Sequence, residues 1–184
     1  RDPGPPPLDY IKTSGGLFLD MSIHDFDMAR FLVGSEVEEV FAKGTCRTDP
    51  AISEAGDVDT AVIVLIFKNG CMVTIDNCRK ASYGYDQRVE VFGSKGMAWA
   101  DNNTPHSTGL GNAEGMHTSK PLDFFLERYV DAYLAQMNAF IDSILKGEEP
   151  SVTGIDGRNP VVIALAAKRS LEQGRPVLLS EIEK

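Results

Sequence analysis

The sequence has few cysteines, no long apolar run and a shortage of positive charge, and each of these absences excludes a class of protein. No run approaches the ~20 apolar residues that a membrane-spanning helix requires, which argues against a spanning protein. Lys and Arg number 18 against 27 Asp and Glu, for a formal net charge of -9. Nucleic acid is therefore not an expected partner, because its binding depends on clustered positive charge.

The three cysteines, Cys46, Cys71 and Cys78, form neither a closed set of pairs nor a C-x-x-C motif. We therefore expect reduced, buried thiols and a cytoplasmic protein. The chain begins at Arg1 without an initiator Met or a charged-then-apolar leader, and prolines follow at once. We expect it to be a fragment of a longer protein.

The 184 residues are enough for one domain with its own hydrophobic core. The β-branched run 60–67, the Asn69-Gly70 pair and the alternation over 72–77 predict a β-hairpin. A second strand-turn-strand pattern over 88–100 extends this into a meandering antiparallel sheet. The middle of the chain is therefore predicted to be a β region.

Helical spacing of apolar residues appears over 20–32 and over 122–145, and the second stripe is broad enough to cover a sheet. Asp156 is expected to cap a further helix that runs to Gln173, with Pro160 tolerated in its first turn. The sequence therefore predicts an α+β fold, with an open, mainly antiparallel β-sheet and helices packed on one face.

The polar segment 102–121 is too long for a simple connection, and a lid over a ligand and a mobile loop both remain open. Its run Gly109–Gly115 imitates a dinucleotide fingerprint, but the last spacing is one residue too long. No apolar strand leads into it and it opens no helix, so we interpret it as a mobile loop and not as a cofactor site.

Asp20, His24 and Asp27 are spaced four and three residues apart, which places them on one face of a helix. A carboxylate beside an imidazole can hold its tautomer and raise its basicity, and such a pair can move a proton. An ordinary helix with Asp20 at its positive end and a structural Asp20–His24 hydrogen bond is the alternative, and spacing alone does not decide. Zinc is disfavoured, because no second His or Cys lies at ligand spacing.

The segment Tyr83–Arg88 places two phenols, a carboxylate, an amide and a guanidinium beside one glycine. Polyols are held by such donors and acceptors around an aromatic wall. A polar loop in which Tyr83 and Tyr85 are merely solvated explains the segment equally well.

Gly15, Gly16, Asp20 and His24 resemble the G-G-x-x-x-D-x-x-x-H segment that opens the second domain of the glucose-fructose oxidoreductase and inositol dehydrogenase family. The likeness covers nearly the whole chain and continues through Asp27–Arg30, Tyr83–Arg88, Val91–Gly96 and Asp156–Arg158. The segments 21–27 and 83–88 are most similar to inositol 2-dehydrogenases, which oxidise myo-inositol to its 2-ketone with NAD.

The resemblance implies that residues 1–184 are a C-terminal substrate-binding and oligomerisation domain, whose sheet packs against other subunits in a homodimer or homotetramer. It also implies an N-terminal Rossmann domain, absent from this chain, that binds NAD or NADP and supplies a catalytic Lys from an E-K-P motif. We therefore expect this chain alone to bind no cofactor and to be inactive.

Carried over from the family, His24 is the base that receives the proton of the substrate hydroxyl, and Asp20 is the carboxylate that orients His24 and binds the adjacent hydroxyl. Asp27, Tyr83 and Tyr85 are expected to contact the sugar. Two alternatives remain: a family member acting on another sugar or a dihydrodiol, and a non-catalytic sugar-sensing or assembly module. The presence of both Asp20 and His24 favours the enzyme.

Overall fold

A computed structural model describes residues 1–182, which form two compact units. We call residues 5–79 with 152–182 the sheet unit, and residues 1–4 with 80–151 the hairpin unit. None of the helices in this described part combines the length and the hydropathy needed to cross a membrane.

Helices and strands follow one another along the described chain, and a 3-10 turn, Leu179–Glu181, comes last. Their bounds are α1 (Leu8–Ser14), α2 (Leu17–Asp20), α3 (Ser22–Val33), β1 (Val37–Thr45), α4 (Pro50–Glu54), β2 (Thr60–Phe67), β3 (Met72–Cys78), β4 (Val89–Gly93), β5 (Gly96–Ala100), β6 (Gly109–Asn112), β7 (Gly115–Thr118), α5 (Phe125–Arg128), α6 (Val130–Lys146), α7 (Gly154–Gln173) and β8 (Val177–Leu178).

The sheet unit is built on an antiparallel sheet with the strand order β3-β2-β1-β8. Alternate residues of β2 point to one buried face, where Ile63, Leu65 and Phe67 share a core with α3 and α7. The opposite face stays more open, and Val62 is 52% exposed. This arrangement confirms the predicted α+β class, with an antiparallel sheet and helices on one face.

Within the sheet unit, the helix that packs on the sheet is α7, and not a helix of the predicted segment 122–145, which belongs to the hairpin unit. That segment divides into α5 and α6, and α6 buries none of its side chains in the described structure. Instead α7 buries Ile163 together with Ala164, Ala166 and Ala167, and the small size of the alanines allows a close approach to the sheet. An apolar stripe indicates that a helix face is to be covered, but not by what.

The start of α7 also differs from the prediction. Thr153 is the N-cap, and Asp156 is the third helical residue, where its carboxylate accepts from the Thr153 amide at 2.8 Å and closes a capping box. Pro160 therefore lies beyond the first turn of the helix, and the expectation that it falls within that turn is wrong.

β2 and β3 form the predicted hairpin, but its loop is longer than the two residues of the Asn69-Gly70 pair. The Phe67 amide donates to the Cys71 carbonyl at 2.9 Å, and the Gly70 amide donates to the Phe67 carbonyl at 2.8 Å. Gly70 has φ +84°, the left-handed conformation with which a three-residue loop ends.

In the hairpin unit, β4 with β5 and β6 with β7 form two separate two-stranded sheets. The strand-turn-strand over 88–100 is confirmed, but the continuous meander is wrong because residues 79–88 run irregularly and not as a tight turn. The run Gly109–Gly115 is likewise not a structureless loop. It folds into β6 and β7, and the Asn112 side chain accepts from the amides of Glu114 and Gly115.

None of the three cysteines forms a disulfide, but the expectation that they are buried is wrong. Cys71 is exposed where β3 is about to begin, and Cys46 and Cys78 are partly exposed at strand ends. The Sγ of Cys46 donates to the Asp49 carbonyl and to a carboxylate oxygen of Asp59.

Candidate active site

Asp20 is the last residue of α2, a four-residue helix that follows the Gly15-Gly16 pair. Both glycines have positive φ, +92° and +88°, which only glycine adopts readily. A Cβ on Gly16 would also lie 2.7 Å from a carboxylate oxygen of Asp57. The pair is therefore required both by the backbone turn and by the close approach of Asp57.

The carboxylate of Asp20 is held by one donor on each oxygen. Its Oδ1 accepts from the hydroxyl of Tyr10 at 2.8 Å, and its Oδ2 accepts from Nη1 of Arg79 at 2.9 Å. The Asp20 side chain is 14% exposed, whereas that of Arg79 is 1% exposed. A partly open carboxylate is thus fixed by a buried guanidinium on one oxygen and by the hydroxyl of a half-exposed tyrosine on the other.

His24 lies in the first turn of α3 and is exposed. The helix predicted over 20–32 is confirmed as α3 from Ser22 onward, but Asp20 lies outside it in α2, because the chain breaks at Met21, with φ -112° and ψ -58°. Within residues 1–182 no hydrogen bond joins His24 to Asp20, whose oxygens accept one bond each, from Tyr10 and from Arg79. The expected contact by which Asp20 orients His24 is therefore not formed.

Asn77 anchors the segment that carries these residues. Its side-chain oxygen accepts from the Ser22 hydroxyl at 2.7 Å, and its amide donates to Asp25 at 2.8 Å. Asn77 and Arg79 are two residues apart at the end of β3, so both point to the buried side of the strand. One strand end thereby holds both α2 and α3.

Asp27 lies one turn after His24 on α3 and is exposed. Its carboxylate pairs with Nη1 of Arg30 at 3.2 Å, and Arg30 also bonds Glu36 at 2.8 and 2.9 Å. The hydrogen bonds from Arg30 hold the pKa of Glu36 below its usual range, against the effect of burial. The salt-bridged Asp27 therefore shares a helix with His24 but not with Asp20.

Tyr83 and Tyr85 belong to the hairpin unit. The Tyr83 hydroxyl donates to Asp86, a buried carboxylate that also accepts from Arg88 and Asn102. Burial alone would raise the pKa of Asp86, but these hydrogen bonds outweigh it and keep the pKa well below its usual range. Tyr85 is half-buried and stacks edge-on against Tyr129, with ring centroids 6.1 Å apart. Neither tyrosine is merely solvated.

Sequence reasoning missed Tyr10, Asp57, Asn77 and Arg79, which carry the geometry around Asp20. For two of them a signal existed. Alternation along β3 turns Val73 and Ile75 toward the core, and continuing it by two and four residues puts Asn77 and Arg79 on the same side. A polar residue followed by a charged residue on a buried strand face needs a partner, and the nearby acidic residues were available. Nothing comparable in the sequence marks Tyr10 or Asp57.

Among the described residues, no group of three or more His, Cys, Asp or Glu side chains lies close enough together to hold a metal ion.

Residues 6–179 match the family model described as the oxidoreductase family, C-terminal alpha/beta domain. The chain belongs to this family. It is 56% identical over 182 residues to a myo-inositol 2-dehydrogenase from Thermotoga maritima and 46% identical over 181 residues to an inositol 2-dehydrogenase from Rhizobium meliloti. These alignments cover 99% and 98% of this chain and 54% of each relative.

The fold of this oxidoreductase-family domain also matches a solved structure, scyllo-inositol dehydrogenase from Lactobacillus casei with bound NAD(H) and scyllo-inositol. The TM-score is 0.86 at 32% identity, and the match covers 94% of this chain and 52% of that one. The family resemblance read from Gly15, Gly16, Asp20 and His24 is thereby confirmed. The chain spans about half the length of the curated relatives it matches.

Proposed function

We propose that the complete protein is an NAD(P)-dependent dehydrogenase that oxidises a polyol, myo-inositol, to a ketone. Residues 1–184 form its C-terminal substrate-binding and oligomerisation domain. The observation that carries this proposal is an exposed imidazole, His24, four residues after a carboxylate, Asp20, that is fixed by Arg79 and Tyr10. Membership of the oxidoreductase family and the relatives named as inositol 2-dehydrogenases support it.

In this proposal His24 receives the proton of the hydroxyl that is oxidised. An imidazole is the side chain best suited to move a proton near neutral pH. Exposure of His24 on the first turn of α3 leaves its ring accessible to a substrate hydroxyl. The proton leaves the hydroxyl oxygen as a hydride leaves the carbon that bears it, and the product is the ketone.

Asp20 binds the adjacent hydroxyl of the polyol and does not act by holding His24. A carboxylate can accept about four hydrogen bonds, and Arg79 and Tyr10 supply two of them. Capacity for a substrate hydroxyl therefore remains on the partly exposed side of the group. We also propose that the sugar is contacted by Asp27, Tyr83 and Tyr85.

The nicotinamide nucleotide, NAD or NADP, accepts the hydride when bound. The glycine-rich run Gly109–Gly115 does not fit a dinucleotide, because it forms the β6–β7 hairpin and opens no helix. We therefore assign cofactor binding to an N-terminal Rossmann domain outside this chain, together with the catalytic Lys.

The open face of the sheet is the surface we assign to self-association, as a homodimer or homotetramer. Val62 is 52% and Met72 is 72% exposed on β2 and β3, and they lie on the strand faces turned away from the core. Apolar sheet surface and sheet edges are usually covered by symmetric partners. The absence of a disulfide among Cys46, Cys71 and Cys78 favours a reducing compartment, and we assign the protein to the cytoplasm.

The test is turnover of a polyol panel by the complete protein with NAD and with NADP. Reduction of the nucleotide with myo-inositol as the preferred substrate is expected, and preference for another sugar or a dihydrodiol would move the protein elsewhere in the family. Binding of polyols without any turnover would contradict the enzyme and favour a sensing module. In parallel, calorimetry of the 184-residue chain is expected to detect no micromolar binding of NAD.

A further inference from the structure

The guanidinium of Arg79 is a buried charge directly after β3, at the point where the sheet meets α2. Its Nη1 lies 2.9 Å from Oδ2 of Asp20, and its Nη2 lies 3.5 Å from Oδ2 of Asp57. A buried cation is strongly unfavourable unless it is paired. The two carboxylates are therefore what allow a charge at this position.

Asp57 connects the same guanidinium to the start of α2. Each of its carboxylate oxygens accepts from the backbone amide of Leu17 at 3.1 Å, and Leu17 is the first residue of the helix. A helix of four residues is far too short to be stable by itself. Asp57 holds the first residue of α2, Asp20 is its last, and Arg79 joins the two.

The orientation of the Asp20 carboxylate is fixed by donors on its two different oxygens, Tyr10 on Oδ1 and Arg79 on Oδ2. Lysine could not replace Arg79 fully. Its ammonium is a point charge and lacks the planar fork that faces two carboxylates at once.

We propose that Arg79 is a positioning residue: by bridging Asp57 and Asp20 it holds the Asp20 carboxylate in the orientation that binds the substrate hydroxyl. The catalytic consequence rests on the proposed function, but the hold on Asp20 itself can be measured without turnover. A salt bridge that served only the stability of the fold would lower the Tm and leave kcat of the folded protein intact.

The first experiment is kinetic and uses the complete protein. Arg79→Gln is expected to lower kcat by about 10²-fold, the order of loss for a displacement near 1 Å in a group that positions the substrate, with little change in KM for the nucleotide. Arg79→Lys keeps the charge without the fork and recovers only part of kcat. Arg169→Gln is the matched control, because Arg169 donates to the main-chain oxygen of Glu181 at 2.8 Å, and its kcat is expected to be unchanged.

The second experiment reads the position of Asp20 from Tyr10. The hydrogen bond to Asp20, and then the negative charge of that carboxylate, raise the pKa of Tyr10, whereas the positive charge of Arg79 lowers it. If Arg79 holds Asp20, Arg79→Gln releases the carboxylate, and the pKa of Tyr10 falls toward its ordinary value. If Asp20 stays in place without Arg79, loss of the positive charge raises that pKa further.

Isotope-labelled tyrosine NMR measures the direction of this change, with Tyr10→Phe to assign the resonance. Should Arg79→Gln not fold, Arg79→Lys serves in both experiments, and its retained charge leaves only the hydrogen bond to change. A raised pKa of Tyr10 in folded Arg79→Gln, or full kcat in either folded variant, would overturn the proposal. If the unmodified protein oxidises no polyol, the proposed function fails, and the Tyr10 titration alone then decides whether Arg79 holds Asp20.

Discussion

Asp59 and Asp20 are both carboxylates of the sheet unit, and the way they are held is different. Asp59 is fully buried, and its oxygens accept from the amides of Arg47, Thr48 and Asp49 and from the hydroxyls of Thr48 and Thr60. Asp20 is partly open and accepts from two side chains. The Asp59 carboxylate organises the chain after β1, whereas Asp20 keeps acceptor capacity unused.

This difference separates a structural carboxylate from one that can bind a ligand. Burial alone would raise the pKa of Asp59, but the hydrogen bonds from Thr48, Arg47 and Thr60 outweigh it and hold the pKa well below its usual range. All of that interaction is present without any ligand, so it contributes to folding. The remaining capacity of Asp20 contributes nothing until a hydroxyl arrives, and its value therefore belongs to binding and turnover.

The largest expected effect is on the site side of the comparison. In the complete protein, His24→Ala should lower kcat by roughly 10²- to 10⁴-fold, the loss expected for a general base, while affinity for NAD stays nearly unchanged. Its Tm should change little, because the His24 side chain is exposed. Steady-state kinetics on samples of verified fold measure kcat, and calorimetry measures the affinity for NAD and the Tm.

Asp20→Asn extends this test, because it removes the charge and keeps the shape. If Asp20 and His24 act on one substrate, the loss from the double variant should be strongly non-additive with the two single losses. Near-normal kcat in His24→Ala with a reduced Tm would contradict the catalytic role and indicate that His24 is a structural residue of the helix.

The next effect is on stability, at Asp59. Asp59→Asn replaces an acceptor oxygen by an amide that faces other donors, and the free energy of unfolding is expected to fall by about 3 kcal/mol. Because the folded pKa of Asp59 is depressed, its contribution is fully present above the unfolded value of about 4 and is lost as the pH falls through the folded value. Urea unfolding of the chain between pH 7 and roughly pH 3 measures the first effect in full and the onset of the second.

Asp59→Asn has no carboxylate at this position, so it should lack the loss of stability in acid that Asp59 causes. The free energies of unfolding of the variant and the parent should therefore converge as the pH falls. Equal stability of the variant and the parent at neutral pH would contradict the structural role. Asp20→Asn is the matched comparison. It should lose less stability than Asp59→Asn, because Asp57 still pairs with Arg79.

Local signals in the sequence were sufficient for the elements that depend on near neighbours. The β2–β3 hairpin follows from β-branched runs around Asn69-Gly70, and the place of His24 near the start of a helix follows from apolar spacing. The first depends on strand and turn preferences and the second on hydrophobic periodicity, and both act over a few residues. The family motif added the pairing of Gly15-Gly16 with Asp20 and His24.

The same local signals could not predict contacts between residues that lie far apart in the sequence. Both α6 and α7 have helical apolar spacing, and only the folded chain decides that α7 covers the sheet. The partners of Asp20 lie 10 and 59 residues away along the chain, so four-residue spacing favoured His24 instead. A buried guanidinium such as that of Arg79 bonds a partly buried carboxylate strongly, and spacing along the chain carries no information about such a distant donor.

The smallest expected effects come from removing one hydroxyl donor on each side of the comparison. Thr48→Val deletes the hydroxyl that donates to Asp59 at 2.8 Å, and Tyr10→Phe deletes the one that donates to Asp20 at 2.8 Å. A hydrogen bond to a charged group contributes about 1.5 to 3 kcal/mol when it is shielded from water, so Thr48→Val should lose about 2 kcal/mol of stability with kcat unchanged.

Tyr10 is 50% exposed, so water replaces its hydroxyl, and Tyr10→Phe should lose well under 1 kcal/mol. In Tyr10→Phe, however, the Asp20 carboxylate keeps only Arg79 as a fixed donor. Asp20 then gains freedom to rotate, so kcat should fall several-fold. Equal losses of stability in the two variants, or a fall in kcat only in Thr48→Val, would show that the two carboxylates are not divided between folding and binding.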